Sequence, residues 1–378
     1  MGWFWASKYQ ADCIMIVMDN NRNSCNPGGS IKRLGSLEPV CNVCHSEISE
    51  IGHKKLRVEC LKCGKVFKEV ARFLDFRIRS DRYLSLNQER QKAERLSHYE
   101  NQESLEQLTR RYYQITADVS TERRERFVRH VLDAELRGAA LLKRIPEKAT
   151  ILELGTGTGG FMGAALKAGR NAVGVDIASR WLVVARKRLA EMGFHSSASL
   201  YPACAEKLPW PDNTFDSVVA DSLLEHLEKP ESAIKEMFRV TKPGGTILIW
   251  SPNRYWPGVD PHVGLFGVGY LNRSWAEKYV QWRRGDIHWP LSRSPKVWSK
   301  MALEVLNSSE VQYQAADFSG WPITDKSIRA RIARLLGRMT KTPFMSIIMT
   351  QIGPVGEIRI IKPVMDLHCH QMNQVEVF

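Results

Sequence analysis

Two cysteine pairs are the first residues whose spacing could do chemistry: Cys41-x-x-Cys44 and Cys60-x-x-Cys63, with fifteen residues between the pairs. Two such knuckles bring four thiolates into a tetrahedron, the ligand set of a structural zinc ion. Gly64 directly after the second pair suits a tight knuckle turn, and four sulfurs already close the site without His45 or His53. A segment this small buries too little core to fold without its metal. The second feature is Glu153-Leu-Gly-Thr-Gly-Thr-Gly159, between an apolar run at 150–154 and a helical pattern reaching residue 168. Gly155 and Gly157 permit a tight turn and close backbone approach to a ligand, and the helix beyond offers free N–H groups. Asp176 ends the next apolar run, 21 residues after Gly155. A carboxylate there can accept from both hydroxyls of a ribose, or it can cap the helix that follows.

The elements that must position these groups can be read from periodicity. Apolar runs at 150–154, 172–175, 199–203, 215–220 and 246–250 alternate with helical patterns, notably at 179–192 and 231–240. Two further strand patterns follow at 311–316 and 357–361. Strands alternating with helices predict an α/β fold with a doubly wound parallel sheet. Upstream, residues 85–143 contain no proline and one glycine, Gly138. Phe127, Val131, Leu132, Leu136, Ala139 and Leu142 recur there at helical steps, which predicts a helical connector with one apolar face. The expected organisation is a leader (1–38), a zinc ribbon (39–70), the connector (71–145), a catalytic domain (146–364) with an insert at 320–354, and a tail (365–378).

Glycine spacing alone does not separate a dinucleotide site from other nucleoside sites, because Gly155, Gly157 and Gly160 also satisfy G-x-G-x-x-G. Downstream residues decide. Ala205-Glu-Lys-Leu-Pro-Trp-Pro-Asp-Asn-Thr-Phe-Asp216 leads into the strand at 215–220, Leu224-Glu-His226 follows it, and Arg239-Val-Thr-Lys-Pro-Gly-Gly245 precedes the next. This succession resembles the class I S-adenosylmethionine-dependent methyltransferases, in their small-molecule and quinone-type branch. The resemblance is strong over about 148–252 and architectural over about 253–362. It implies a seven-stranded Rossmann-like sheet with an antiparallel last strand and S-adenosylmethionine at the carboxyl ends of its first strands. It also implies that Glu153, Gly155, Gly157 and Gly159 form the first cofactor motif and that Asp176 holds the ribose. Ala205 and Glu206 then lie beside the adenine, and Asp221 near the methionine end. One departure is Cys204, where the family often has an aspartate that accepts from adenine; a thiol is a poor acceptor.

Methyl transfer from a sulfonium chiefly requires alignment and exclusion of water. A hydroxyl acceptor benefits from a base on a loop at the carboxyl edge of the sheet. His262 is the first candidate because imidazole titrates near neutral pH, and His226 is the second, with a purely structural role at a loop start as its competing reading. Tryptophans 250, 256, 275, 282 and 289 crowd the same region and are expected mainly in core or lid.

Lysine and arginine outnumber aspartate and glutamate 54 to 41, a net charge of +13. Residues 146–250 are neutral overall, whereas 251–378 carry +6, and 326–341 alone hold six basic and no acidic residues. There Ile328, Ile332, Leu335, Leu336 and Met339 share one helical face and Arg329, Arg331, Arg334 and Arg338 occupy much of the rest. Such a helix, with the apolar residues up to 349, can lie on an anionic membrane or pack its apolar face on the domain. No apolar run is long enough to span a bilayer, and Ile14 to Met18 is too short for a signal peptide, so the cytoplasm is expected, with peripheral contact at the inner membrane face. The favoured function is methyl transfer to an oxygen of a small molecule, sugar or lipid-linked glycan. The alternatives are an RNA methyltransferase using the ribbon and basic flanks, and a non-catalytic binding protein on the same scaffold. Asp221-Ser-Leu-Leu224 lacks the Asn/Asp-Pro-Pro-Tyr pattern of base-amine methylation, which counts against part of the RNA reading.

Overall fold

A computed structural model of the chain describes residues 37–50, 57–114, 121–194, 199–285, 290, 293–307, 310–318 and 328–364. The leader up to residue 36, the start of the insert at 320–327, the tail, His53 and Trp289 lie outside them. From Leu37 onward the chain is one compact unit. It begins with four antiparallel strands, β1 (Ile48–Glu50), β2 (Arg57–Cys60), β3 (Val66–Val70) and β4 (Phe73–Leu74), paired in chain order. Helices α1 (Leu86–Tyr99), α2 (Leu105–Gln114), α3 (Thr121–Leu132) and α4 (Ala134–Leu142) follow. Ser85 starts α1 with a reciprocal cap, its hydroxyl accepting from the Gln88 N–H while the Gln88 side chain accepts from the Ser85 N–H.

The second sheet is built from β5 (Ile151–Leu154), β6 (Ala172–Asp176), β7 (Ser199–Pro202), β8 (Phe215–Asp221), β9 (Thr241–Pro252), β10 (Val311–Ala315) and β11 (Val355–Ile361). Its order is β10-β11-β9-β8-β5-β6-β7, with β11 antiparallel to both neighbours and the pairs from β9 to β7 parallel. All four residues of β5 are buried, as expected for a strand covered on both faces. The sheet is flanked by α5 (Gly160–Lys167), α6 (Ser179–Glu191), α7 (Pro230–Val240) and α9 (Pro295–Leu306), α8 (Arg273–Arg284) packs in a separate cluster with Val263, Leu265 and Val268, and α10 (Ile328–Met339) and α11 (Pro343–Ile352) lie between β10 and β11. Strand order reverses between β5 and β8, which opens a crevice at their carboxyl ends. Strand β9 starts earlier than its apolar run suggests. The Lys242-Pro-Gly-Gly245 turn is held to the end of β11, Gly244 N–H to the Lys362 carbonyl at 2.7 Å and Lys362 N–H to the Gly245 carbonyl at 3.0 Å. Among the described residues no helix is long and apolar enough to cross a membrane.

The front segments are fastened to the sheet domain by specific contacts. Phe76 N–H donates to the Pro202 carbonyl at the edge strand β7, 2.8 Å, and Trp210 Nε1 donates to the Leu37 carbonyl, 3.0 Å. Phe67, Phe76, Tyr201, Trp210 and Phe215 form a run of ring contacts from β3 to β8. The connector is anchored by buried Glu89 of α1, which accepts from the Arg180 backbone at 2.9 Å and pairs with the Arg180 side chain; Asp81 also reaches that guanidinium at 2.8 Å.

Helices α4 and α5 meet at glycines. A Cβ on Gly138 would lie 2.5 Å from the Phe161 Cα, and one on Gly160 would lie 2.6 Å from the Ala134 carbonyl carbon. Both obstacles are backbone, so neither can move aside cheaply. Gly138→Ala is therefore expected to destabilise the fold by about 1–3 kcal/mol through overpacking, read as a lowered urea midpoint; an unchanged midpoint would show that the helices separate without cost.

Candidate functional site: a cofactor crevice opening onto a histidine wall

The crevice starts at the loop between β5 and α5. Gly155, Gly157 and Gly159 have φ of +73°, +49° and +75°, so all three stand in the left-handed region where side chains are disfavoured. Asp176, at the end of β6, accepts from the Gly157 and Ala178 N–H groups, each at 2.8 Å. It thus ties the glycine loop down and holds the chain just before α6, whose N-cap is Ala178 and not Asp176. Glu153 is buried and accepts a hydrogen bond from the Thr156 hydroxyl. Burial pushes its carboxyl up to about 8, helped by the nearby Asp221 and Asp176 charges and opposed by the Thr156 bond. Burial likewise raises Asp176 to about 6, against the two backbone donors.

Of the two residues that the resemblance sets beside the adenine, Ala205 is buried and Glu206 is ion-paired with Arg79. Cys204 is fully buried, its sulfur 3.9 Å from the Arg79 carbonyl, and burial raises its thiol. The segment between ribbon and connector therefore covers this flank: Arg77 also donates to the Ile177 carbonyl at 3.2 Å, just beyond Asp176. On the other side, Asp221 is bound through both oxygens by the Arg137 guanidinium from α4. Ser222 beside it sits at φ +56°, a strained conformation for a serine, and its hydroxyl donates to Asp221 at 3.1 Å. Arg137 was not apparent from sequence, because it is one of many arginines in the connector; only the close approach of α4 to α5 brings it here.

A cavity of about 710 Å³ is lined by part of this set, while Gly157, Gly159, Asp176, Ala205 and Glu206 lie outside its lining. Glu153, Gly155, Arg137 and Asp221 line one part; His226, His262 and Trp256 line another; Phe318, Ile332 and Leu336 line the rim. A second hollow of about 690 Å³ shares the histidine wall and is also lined by Tyr83 and Arg126. Both candidate bases are thus brought together, with ring centroids 5.1 Å apart. Asp260 Oδ1 accepts from the His262 backbone N–H at 2.8 Å and fixes its loop, while the Tyr83 hydroxyl bonds His226 Nδ1 at 3.0 Å. The tryptophans divide: Trp250 is core and Trp256 lines the cavity, but Trp275 and Trp282 are 63% and 77% exposed, away from the core or lid expected for them. They lie on the outward side of α8, which packs through Ala276 and Val280.

The four cysteines converge. Their sulfurs lie within 4.8 Å of one another, with Cys41 to Cys63 at 3.7 Å and Cys44 to Cys60 at 3.3 Å. Tetrahedral thiolates on zinc stand roughly 3.8 Å apart, so the set fits the ion. Val43 and Cys63 N–H groups donate to the Cys41 and Cys60 sulfurs, both at 3.4 Å, and Gly64 turns with φ +69°.

The raised Glu153 carboxyl has a consequence for stability. Above pH 4.5 the unfolded chain has lost this proton, while the folded chain keeps it up to about pH 8, so stability falls as pH rises through that window. Glu153→Gln cannot ionise. In the ligand-free protein its urea midpoint should climb relative to that of the parent chain between about pH 4.5 and about pH 8, and parallel curves would contradict the assignment.

With this geometry in place, comparison with known proteins is informative. Residues 152–249 match the family model of a methyltransferase domain. The chain is 38% identical over 96 residues to a ubiquinone/menaquinone biosynthesis C-methyltransferase UbiE of Chromobacterium violaceum, covering 25% of this chain and 38% of that protein. It is 39% identical over 100 residues to a phosphatidylethanolamine N-methyltransferase of Cereibacter sphaeroides, covering 26% and 48%. Among solved structures, a Haemonchus contortus phosphoethanolamine N-methyltransferase 2 in complex with S-adenosyl-L-methionine aligns at 20% identity and TM-score 0.40, over 60% of this chain and 52% of that one. The chain spans less than half the length of these curated relatives. Sheet order, glycine loop and family match agree: the chain carries a class I S-adenosylmethionine-dependent methyltransferase domain, preceded by a four-cysteine ribbon.

Proposed function

We propose that this protein transfers a methyl group from S-adenosylmethionine to an oxygen of a small amphiphilic acceptor, a lipid-linked sugar or glycan being the kind that fits best. The observation that carries this reading is the continuity of the cavity, from the glycine loop past His226 and His262 to Ile332 and Leu336 of α10. Bound S-adenosylmethionine supplies a methyl group on a positively charged sulfur, already activated as a leaving group. The chain's own residues do the rest. Gly155, Gly157 and Gly159 let the backbone approach; Asp176 offers its remaining lone pairs to ribose hydroxyls; Ala205 and Glu206 border the adenine. Arg137 and Asp221 present one positive and one negative group side by side, matching the carboxylate and ammonium of an amino-acid end. His226 and His262 face the acceptor, whose hydroxyl must lose a proton, and that wall is what favours oxygen over the carbon and nitrogen acceptors in the relatives' names.

The rim supports an amphiphilic acceptor. Ile328, Leu335, Phe344 and Ile347 are 74%, 57%, 73% and 68% exposed, beside Arg331 and Arg338, which are exposed too. Apolar side chains standing in solvent among cations match an anionic lipid surface, where apolar burial and charge attraction act together. The ribbon's four thiolates hold a structural zinc ion in this reading, and the ion keeps in place the Phe67–Phe76 contact that leads to Arg77 and Arg79.

Three measurements test this. Asp176→Ala should weaken S-adenosylmethionine binding at least about tenfold by calorimetry, since two hydrogen bonds to a charged acceptor are lost. Vesicles containing phosphatidylglycerol should retain the protein and neutral vesicles should not, with Leu335→Glu and Phe344→Glu releasing it; equal retention on both would remove the membrane from the proposal. Incubation with methyl-labelled cofactor and fractionated extract should place label in lipid or carbohydrate as an ether. Label in RNA, or on carbon or nitrogen, would overturn the acceptor assignment.

A further inference from the structure

Within the histidine wall, Glu225, His226 and His262 converge, and two of them, Glu225 and His262, each leave one buried polar atom without a hydrogen bond. Glu225 lies in the 3-10 turn Leu224–His226 after β8 and is wholly buried. Its Oε2 accepts from the Ser251 hydroxyl at 3.3 Å, but its Oε1 has no hydrogen-bond partner. His262 Nε2 lies 3.6 Å from Oε1; that nitrogen is buried and has no hydrogen-bond partner either. One ring nitrogen each of His226 and His262 and one Glu225 oxygen all lie within 4.8 Å of one another. Glu357, buried to the same extent, is bonded quite differently. Glu357 receives two bonds from Arg144, one from Trp250 Nε1 and one from Gln314. Leaving a buried carboxylate oxygen unbonded costs about 1–3 kcal/mol or more, which a fold tolerates where something else is to occupy the gap.

We propose that Glu225, His226 and His262 form a binding site for a divalent first-row transition-metal ion at the acceptor end of the cavity. Imidazole and carboxylate ligands on such an ion stand roughly 3.4 Å apart in a tetrahedral arrangement, close to the Glu225–His262 separation. The second requirement, ligand orientation, is met. Tyr83 bonds His226 through Nδ1, Asp260 holds the His262 backbone, and Ser251 holds the far oxygen of Glu225. The third requirement is open coordination. His226 and His262 line both hollows, so three protein ligands leave positions facing the space where an acceptor enters.

The site deepens the proposed reaction and rests on that reading only for what the ion does there. An acceptor hydroxyl on the ion loses its proton to water more readily. The oxygen lone pair then forms the bond to the methyl carbon, the carbon–sulfur pair returns to sulfur, and the sulfonium becomes a neutral thioether. No electrons are exchanged with the ion.

The test uses the full chain with zinc in its ribbon, titrated with Co2+ alone. A second metal equivalent per chain is expected, with weak visible absorption and no sulfur-to-metal charge-transfer band, which separates it from cobalt in the cysteine site. His226→Ala, His262→Ala and Glu225→Gln should each weaken that equivalent by at least about tenfold, while circular dichroism and the ribbon's zinc stay unchanged. Glu225→Gln keeps the side-chain shape and guards against a folding failure of the alanine variants. Absence of a second equivalent in the parent chain, or its survival in all three variants, overturns the proposal. The titration needs neither cofactor nor acceptor, so it stands or falls separately from the methyl-transfer reading.

Discussion

The close approach of α4 to α5 is the constraint on which the site depends. Gly138 and Gly160 let two helix backbones touch, and no larger residue fits at either position. That contact brings Arg137 over Asp221 and places His130 and Asp133 on the cavity wall. One side of the crevice is therefore made by a helix that lies before the sheet domain in sequence. Arg137 also stacks near Trp250 and Phe318, so its position is fixed by aromatic neighbours as well as by its carboxylate partner.

A similar dependence runs through the segment 75–83. Asp75 and Arg77 pair with each other, Arg79 pairs with Glu206, Asp81 with Arg180, and Tyr83 with His226. In nine residues the chain passes from the ribbon, along Cys204 and Glu206, to the histidine wall. The ribbon ends where this strap begins, through the Phe67–Phe76 contact and the Asn42 bond to the Phe76 carbonyl at 2.5 Å. The four-cysteine cluster is thus followed directly by a strand of polar contacts that borders both halves of the site.

Much of this was legible in sequence because it depends on local pattern. The buried run Ile151–Leu154, the glycine loop and Asp176 at the next strand end each carry their own signal, as do the paired cysteines. The extra helices between β10 and β11 were visible as an amphipathic stretch with four arginines. What was not legible arises from approach in space. Arg137, Tyr83 and Arg79 sit in arginine- or tyrosine-bearing stretches with no motif of their own. Glu225 carries no signal of its own within Leu224-Glu-His226, since nothing local shows that its carboxylate is buried and half-bonded. The exposed faces of Trp275 and Trp282 were missed for the complementary reason: aromatic residues near a substrate region read as core until the packing of α8 shows which face is inward.

Helices α10 and α11 leave the sheet after β10 and return at β11, two strands that pair directly, with Ala315 opposite Gly356. The Ala316 N–H bond to the Val355 carbonyl, 3.0 Å, closes the base of this excursion. Departure and return points are thus neighbours whatever lies between them, and closing a longer or shorter excursion costs little more. The rim is in this sense an interchangeable part. Its sequence can lengthen or shorten while the strands beneath keep their register.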